Sequence, residues 1–331
     1  MSHSDTNDSG QNYRRSGHFG ATFVYHPNGL MAKILEQVER YAPLNQPVLI
    51  TGETGTGKEQ IARLLHAQSG RIGNLISIHL SAVPHDLIEN ELFGHVKGAF
   101  TDAETTTTGY VERASEGTLF LDEIGELPIN YQIKILRLIQ DGEYEKLGSH
   151  RRIKSNTRFI FATNLNLENE IQNNRFRTDL YYRLNTFTVA LPSLRERKLD
   201  LPLLVDHFLF FASKEMNRPN LRISNEALES LLTYDWPGNV RELENIIYRL
   251  AVITDSNTIE MQNLPEIFRQ DLFRLKKQQL EFHQQSANDL ELELTKMALN
   301  KTNQNMNKAA ELLGIARSTL QYRLQKYKNS K

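Results

Sequence analysis

The stretch Pro47–Glu59 reads PVLITGETGTGKE, and it decides the fold. PVLIT has the apolar, β-favouring character of a buried strand, and helical periodicity begins at about Lys58. Between them lies Gly-x4-Gly-Lys, in the strand–turn–helix context that a phosphate-binding loop requires. Gly52, Gly55 and Gly57 free the backbone to curl around an anion, with Glu53, Thr54 and Thr56 between them. The N–H groups opening the helix then point at that anion, and Lys58 is placed to reach the β- and γ-phosphates of a nucleotide. The hydroxyl residue that commonly follows the lysine to meet magnesium is replaced by Glu59. The alternative to a phosphate site is a glycine-rich strand–helix turn with no ligand.

Working outward, NLISIHLS, GTLFLDE, RFIFATN and FTVALP are further short apolar runs of strand character. Helical patterns such as PINYQIKILRLIQDGE lie between them, and GLMAKILEQVERYAP precedes the first strand. Strand alternating with helix predicts an α/β fold with a mostly parallel sheet. From about Arg195 the strands stop, and LDLPLLVDHFLFFASKEM, SNEALESLLTYDW and VRELENIIYRLAVI predict a smaller all-helical domain. The expected organisation is a disordered tail over residues 1–22, an α/β domain over 23–195, a helical lid over 196–265, a linker over 266–286 and a C-terminal all-helical domain over 287–331.

The 331 residues are 39% hydrophobic and 24% charged, the balance of a soluble globular protein. A formal net charge of −1 excludes a globally basic surface, so any contact with nucleic acid has to be local. The absence of cysteine excludes disulfides and thiolate metal sites. No apolar run has the length of a membrane span, and the N-terminus lacks the apolar stretch of a signal peptide, so a cytoplasmic protein without membrane insertion is expected.

Asp122 and Glu123 end the run TLFLDE. Alone, such a pair reads as a solvated strand end. Downstream of a phosphate loop, Asp122 is suited to hold Mg2+ through water and Glu123 to polarise an attacking water. Asn164 ends the next strand, where it orients water or senses the γ-phosphate, or simply makes a turn. Arg177 and Arg183 in FRTDLYYRL read either as solvated helix charges or as cations offered to a transition state in a neighbouring subunit.

GETGTGKE, ELFGHVKGAFTDA, GTLFLDEIGELP, FRTDLYYRLNTF, LPSLRERKLDLPLL and WPGNVRELEN occur together and in this order. The chain thereby resembles the bacterial enhancer-binding proteins, AAA+ activators of sigma-54 RNA polymerase, from about Phe23 to Pro265 and again in the C-terminal helices. The resemblance implies an AAA+ P-loop ATPase core with a helical lid. It implies a homo-oligomeric ring, a hexamer that is dimeric when inactive, hydrolysing ATP between subunits. By motif, Lys58 falls in Walker A, Asp122 and Glu123 in Walker B, and Asn164 on sensor I. Arg177 and Arg183 fall on trans-acting arginine positions, and Arg241 on sensor II in the lid. Family members commonly carry an acid after the Walker lysine, in line with Glu59. GAFTDA matches the loop that touches the sigma factor, with Phe100 as its aromatic contact and Thr101 as its hydroxyl. Two residues depart from the pattern: Asp102 replaces the loop's second glycine, and His79 replaces an asparagine that relays nucleotide state to the Walker B glutamate.

NKAAELLGIARSTLQYRLQKY is a helix, a glycine turn and a second helix, resembling the Fis-type helix-turn-helix domain of this family. From Lys301 onward, seven Lys and Arg stand against Glu311 alone. Arg317 and Gln321 suit base edges, while Ser318, Thr319, Arg323 and Lys326 suit phosphates of upstream enhancer DNA. A helical hairpin used only for assembly is the alternative. Leu290, Leu294 and Met297 could pair two copies. With only residues 1–22 before the ATPase core, no attached sensor domain is expected, and control falls to a ligand, to expression level or to a trans-acting regulatory protein. Two other functions stay open: a regulator of the same descent acting without sigma-54, on account of Asp102 and His79, and a clamp-loader or unfoldase-like ATPase.

Overall fold

The structure, a computed structural model, describes residues 14–18, 21–101, 103–269, 295–297, 299, 301–302, 304–315 and 317–321. It divides into two compact units, residues 1–228 with 234–263, and residues 229–233 with 264–331.

The first unit is built on five parallel strands: β1 (Val48–Thr51), β2 (Leu75–His79), β3 (Thr118–Asp122), β4 (Arg158–Thr163) and β5 (Thr188–Ala190). Their spatial order is β5-β1-β4-β3-β2. The register sets Ala162 beside Ile50, Phe161 beside Leu121 and His79 beside Asp122. Successive strand residues feed opposite faces. Val48, Ile50, Phe120, Ile160 and Val189 pack on one face with α1 (Leu30–Tyr41) and α2 (Lys58–Ala67). Leu49, Leu119, Leu121, Phe159 and Phe161 pack on the other with α3 (Ile88–Phe93), α4 (Ile129–Asp141) and α5 (Thr178–Leu184). Burial on both faces explains why these strands read as unbroken apolar runs.

A buried cation locks the two helices of the first face to the sheet. Arg158 opens β4 at 1% exposure. Its guanidinium donates to Ala42 O (2.5 Å), Tyr41 O (2.9 Å) and Leu65 O (3.3 Å), carbonyls at the C-terminal ends of α1 and α2. Helix C-termini carry partial negative charge and unsatisfied carbonyls, so one cation serves both. Burial, and then Arg71, push the Arg158 guanidinium down to about 10.

The helical part of this unit comprises α6 (Leu201–Glu215), the start of α7 (Asn225–Thr233) and α8 (Asn239–Ile253). Four small strand pairs fall outside the sequence expectation. Arg14–His18 pairs antiparallel with Ala21–Tyr25, where a disordered tail was expected. The second of these strands carries buried Val24 and Tyr25, and pairing satisfies its backbone groups. Arg222–Ile223 and Thr258–Ile259 form a small parallel pair within the helical stretch. Hairpins join Gly94–His95 to Thr107–Thr108 and Glu143–Glu145 to Arg152–Lys154.

In the second unit, α9 (Met306–Leu312) is followed by Gly314 at φ +65°. Ile315 N–H donates to Ala310 O at 3.0 Å, the six-to-one bond that ends a helix through a left-handed residue. Residues 317–321 are helical again. Leu299, Ala310 and Leu320 form the core of this turn, with Met306, Leu313 and Ile315 against it. The expected pairing residues Leu290 and Leu294, and most of the expected linker, lie outside the described residues, and Met297 is exposed.

Replacing Arg158 with methionine keeps the bulk and strands buried carbonyls at two helix ends. The expected loss is on the order of 3 kcal/mol, read as a lowered urea midpoint at unchanged slope.

Candidate functional site

The β1–α2 turn is a cradle built by glycine. Gly52, Gly55 and Gly57 have φ of +152°, +80° and +103°. At Gly55 the constraint is also steric: a Cβ would sit 2.3 Å from Gly238 O. Across the cradle, Lys58 Nζ donates to Gly52 O (2.8 Å) and Glu53 O (3.1 Å). Thr56 is buried, and its hydroxyl donates to Glu53 O at 2.7 Å. Burial lowers the Lys58 ammonium below its ordinary range, Asp122 and Glu123 draw it back up, and Arg241 lowers it again. These four charges therefore lie close enough to act on one another. Glu59 does not turn its side chain inward: it pairs with Arg63 at 2.6 Å on the exposed face of α2. Only its backbone N–H remains available to the cradle.

Asp122 ends β3, and Glu123 follows at φ +60°. Glu123 N–H donates to Asp122 Oδ1 at 3.0 Å. His79, beside Asp122 in the sheet, faces both carboxylates: Nδ1 lies 3.3 Å from Asp122 Oδ2 and Nε2 lies 3.5 Å from Glu123 Oε2. Asn164, just past β4, donates from Nδ2 to Thr54 Oγ1 at 3.2 Å. All these groups gather at the C-terminal edge of the sheet, where open α/β folds bind ligands.

The helical part closes over the cradle through contacts that sequence reasoning missed. Val240 and Arg241 N–H, opening α8, donate to Gly55 O at 3.0 and 3.4 Å. Asn239, fully buried at φ +54°, donates to Thr54 O (3.0 Å) and Glu53 Oε2 (3.1 Å) and accepts from Leu194 N (2.8 Å). Arg195 makes a two-point pair with Glu53, one arm at 2.9 Å, and Arg197 donates to Thr56 O at 2.9 Å. The Arg195 hydrogen bond, then that of Asn239, holds the Glu53 carboxyl below its usual range. Asn239, Arg195 and Arg197 lay in the motifs WPGNVRELEN and LPSLRERKLDLPLL, but nothing in their spacing disclosed these partners.

Two expected site groups are not in this cluster. Arg177 caps α5 and pairs with Asp179, Nε to Oδ1 at 3.0 Å and Nη2 to Oδ2 at 2.7 Å. Arg183, on the last turn of α5, is exposed. Phe100 and Thr101 sit in the loop between Gly94–His95 and Thr107–Thr108. Phe100 is 45% exposed and edge-on to His95, ring centroids 4.9 Å apart. Asp102 lies outside the described residues. In the second unit Arg317, Ser318, Thr319 and Gln321 are all exposed on the helix whose Leu320 is buried. Arg323 and Lys326 lie outside the described residues. Among the described residues, no helix is long and apolar enough to cross a membrane.

A parallel sheet in the order 5-1-4-3-2, a glycine cradle with its lysine, two carboxylates at the adjoining strand end and a helical lid define an AAA+ P-loop protein. Residues 24–190 match the Sigma-54 interaction domain, 195–280 the AAA+ ATPase lid domain and 286–327 the Fis family of bacterial regulatory proteins. The chain belongs to the family of sigma-54-dependent transcriptional activators, with a Fis-type DNA-binding helix-turn-helix. It is 42% identical over 313 residues to the transcriptional regulatory protein XylR of Pseudomonas putida, covering 89% of this chain and 55% of the relative. It is 41% identical over 303 residues to the regulatory protein AtoC of Escherichia coli K12, covering 90% of this chain and 66% of the relative. The chain spans about half the length of the first relatives, 55% and 47%. Among solved structures, NtrX from Brucella abortus in complex with ATP matches with TM-score 0.66 and 31% identity, covering 94% of this chain and 69% of that one. NtrX in complex with ADP matches with TM-score 0.67 and 31% identity, covering 89% and 68%.

The lid contact is testable through Asn239. Asn239→Ala removes buried hydrogen bonds and puts alanine at φ +54°, with an expected loss of about 2 kcal/mol or more in chemical denaturation. Asn239→Gly loses the same bonds but suits the backbone, so it is expected to cost roughly 1 kcal/mol less.

Proposed function

We propose that this chain binds and hydrolyses ATP within a homo-oligomeric ring, a hexamer assembled from inactive dimers, and uses that work to remodel the sigma-54 RNA polymerase holoenzyme toward the open complex. The observation that carries this reading is a glycine cradle spanned by Lys58, with the Arg241 N–H on Gly55 O and Asp122 and Glu123 at the end of a neighbouring strand. The NtrX complexes with ADP and ATP support a nucleotide there.

In this reading the cradle from Gly52 to Glu59 takes the phosphates on backbone N–H groups, with Lys58 on the β- and γ-phosphates. Asp122 and Glu123 lie side by side at the mouth, which fits a magnesium ion that keeps most of its waters and touches few protein groups. Asp122 would hold that ion through water. Bound there, magnesium would supply positive charge that offsets the phosphate oxygens. Glu123 orients the attacking water, and Asn164 senses the γ-phosphate. Arg241 reads the nucleotide from the lid. Arg177 and Arg183 serve the site of a neighbouring copy, consistent with their absence from the cluster around their own chain's Lys58.

Phe100 and Thr101 meet sigma-54, and the C-terminal helices hold upstream enhancer DNA. There Arg317 and Gln321 face base edges, and Ser318, Thr319, Arg323 and Lys326 face phosphates. His79 favours retained coupling rather than a sigma-54-independent regulator, because its imidazole reaches both carboxylates. A trans-acting protein is the proposed source of control, and the cytoplasm the proposed location.

Two measurements test the reading. Glu123→Gln is expected to keep ATP binding within about threefold and to lose at least about a hundredfold in kcat, while Lys58→Ala loses binding itself. Normal turnover by Glu123→Gln removes Glu123 from its assigned role. In transcription in vitro with sigma-54 polymerase, ATP and a mapped site, Thr101→Ala is expected to abolish open complexes while ATPase activity persists. Equal transcription by the variant overturns the proposed sigma-54 contact.

A further inference from the structure

Gln132 is a buried polar residue that the nucleotide site does not use. It lies in α4 at 0% exposure, and its amide is committed on both sides. Nε2 donates to Leu127 O and to Arg175 O, each at 2.8 Å, and Oε1 accepts from Arg177 N–H at 2.8 Å. Only one orientation of the amide satisfies this set, because two partners are carbonyls and the third is an N–H. A buried glutamine with three well-made bonds specifies position, since any shift leaves a polar group unpaired.

The three partners belong to two segments far apart in sequence. Leu127 closes the turn that follows Glu123, its N–H donating to Ile124 O at 3.2 Å. Arg175 and Arg177 flank buried Phe176 on the way into α5. On its other side this approach is held by Glu170, whose carbonyl accepts from Arg175 N–H (2.9 Å) and Phe176 N–H (3.2 Å) and whose carboxylate grips the Arg175 guanidinium. The Arg177 backbone is thus stapled at a buried point, while its guanidinium stays partly exposed and rests on Asp179.

We propose that Gln132 is a positioning residue for Arg177, tying the arginine's point of departure to the turn behind Glu123 so that the arginine is presented in register with its own subunit's β3 exit. This rests on the reading that Arg177 serves the site of a neighbouring copy. A guanidinium on a long side chain gains its effect from where its backbone is held, and small displacements of a transition-state contact cost rate steeply.

The test uses the full chain. Gln132→Met, of similar volume, removes all three hydrogen bonds. Gln132→Asn keeps the amide but is one methylene too short to span both segments, and it decides the question if the methionine variant fails to fold. Each is measured beside Arg177→Ala for ATP affinity, with a non-hydrolysed analogue, and for kcat. The expected result is affinity within about twofold of the parent and a kcat lower by about tenfold or more. Mixing with Lys58→Ala subunits, which carry an intact Arg177 but no working cradle, is expected to restore turnover, because the glutamine variant's own cradle then faces a sound arginine. A kcat unchanged in the glutamine variants while Arg177→Ala is inactive overturns the proposal. So does a loss that mixing fails to restore when it does restore Arg177→Ala. Full activity of Arg177→Ala overturns the underlying reading instead.

Discussion

The structure of the first unit turns on one close approach. Gly55 and Gly238 come together so tightly that a single Cβ would overlap a carbonyl oxygen, and the Gly55 carbonyl accepts the N–H groups that open α8. This contact forces glycine at position 55, while a Cβ at Gly238 would crowd the Glu242 side chain instead. It also sets the start of α8, and with it the direction from which Arg241 faces Lys58. The dipole of α8 directs its positive end at the cradle, adding to the field that favours an anion there. Phosphate binding and lid attachment therefore use the same backbone, and neither can be altered at Gly55 without altering the other.

Around this contact, buried polar side chains do what apolar packing cannot. Two apolar sheet faces hold helices in place but tolerate sliding, because dispersion and hydrophobic burial are non-directional. Arg158 removes that freedom by binding the last carbonyls of two helices. Asn239 and Arg197 fix the lid to the cradle, and Gln132 fixes α5 to the turn after β3. Each carries a desolvation cost that its hydrogen bonds offset. Gln132 has all its partners, whereas Arg158 and Arg197 each keep a buried Nε without one.

These connectors also explain what the sequence could disclose. The five strands stood out because burial on both faces demands continuous apolar runs, and the cradle because only glycine suits its φ angles next to a lysine. Asp122, Glu123 and Asn164 were legible by position, as polar residues ending apolar strands. Arg158 was not: it opens RFIFATN like any charge flanking a strand, and nothing local reports that two helix ends, each more than ninety residues before it in the chain, converge on it. Gln132 likewise sits in PINYQIKILRLIQDGE as an ordinary polar helix residue. The short hairpins escaped because two- and three-residue strands have no period to detect. Glu59 was legible as a departure from the common hydroxyl, while its turn toward Arg63 was decided by the neighbour four residues on.

The cradle and the exposed loop are connected through β2. His79, its last residue, faces both carboxylates at the end of β3, and the chain then runs through Leu80–Ala82 and α3 into the hairpin that carries Phe100. That hairpin is not limp. His95 at its base is buried, with Nδ1 2.6 Å from Asn90 Oδ1, and the Phe100 ring rests on its edge. Gly98 supplies the turn at φ +83°, and Ala99 packs so closely on Gly148 that a Cβ there would lie 2.7 Å away. A braced loop has few arrangements, so movement at its base is passed on rather than absorbed. In the proposed reading, a change in what Asp122 and Glu123 hold alters the partners of His79, and this segment is one route by which that change reaches the aromatic tip.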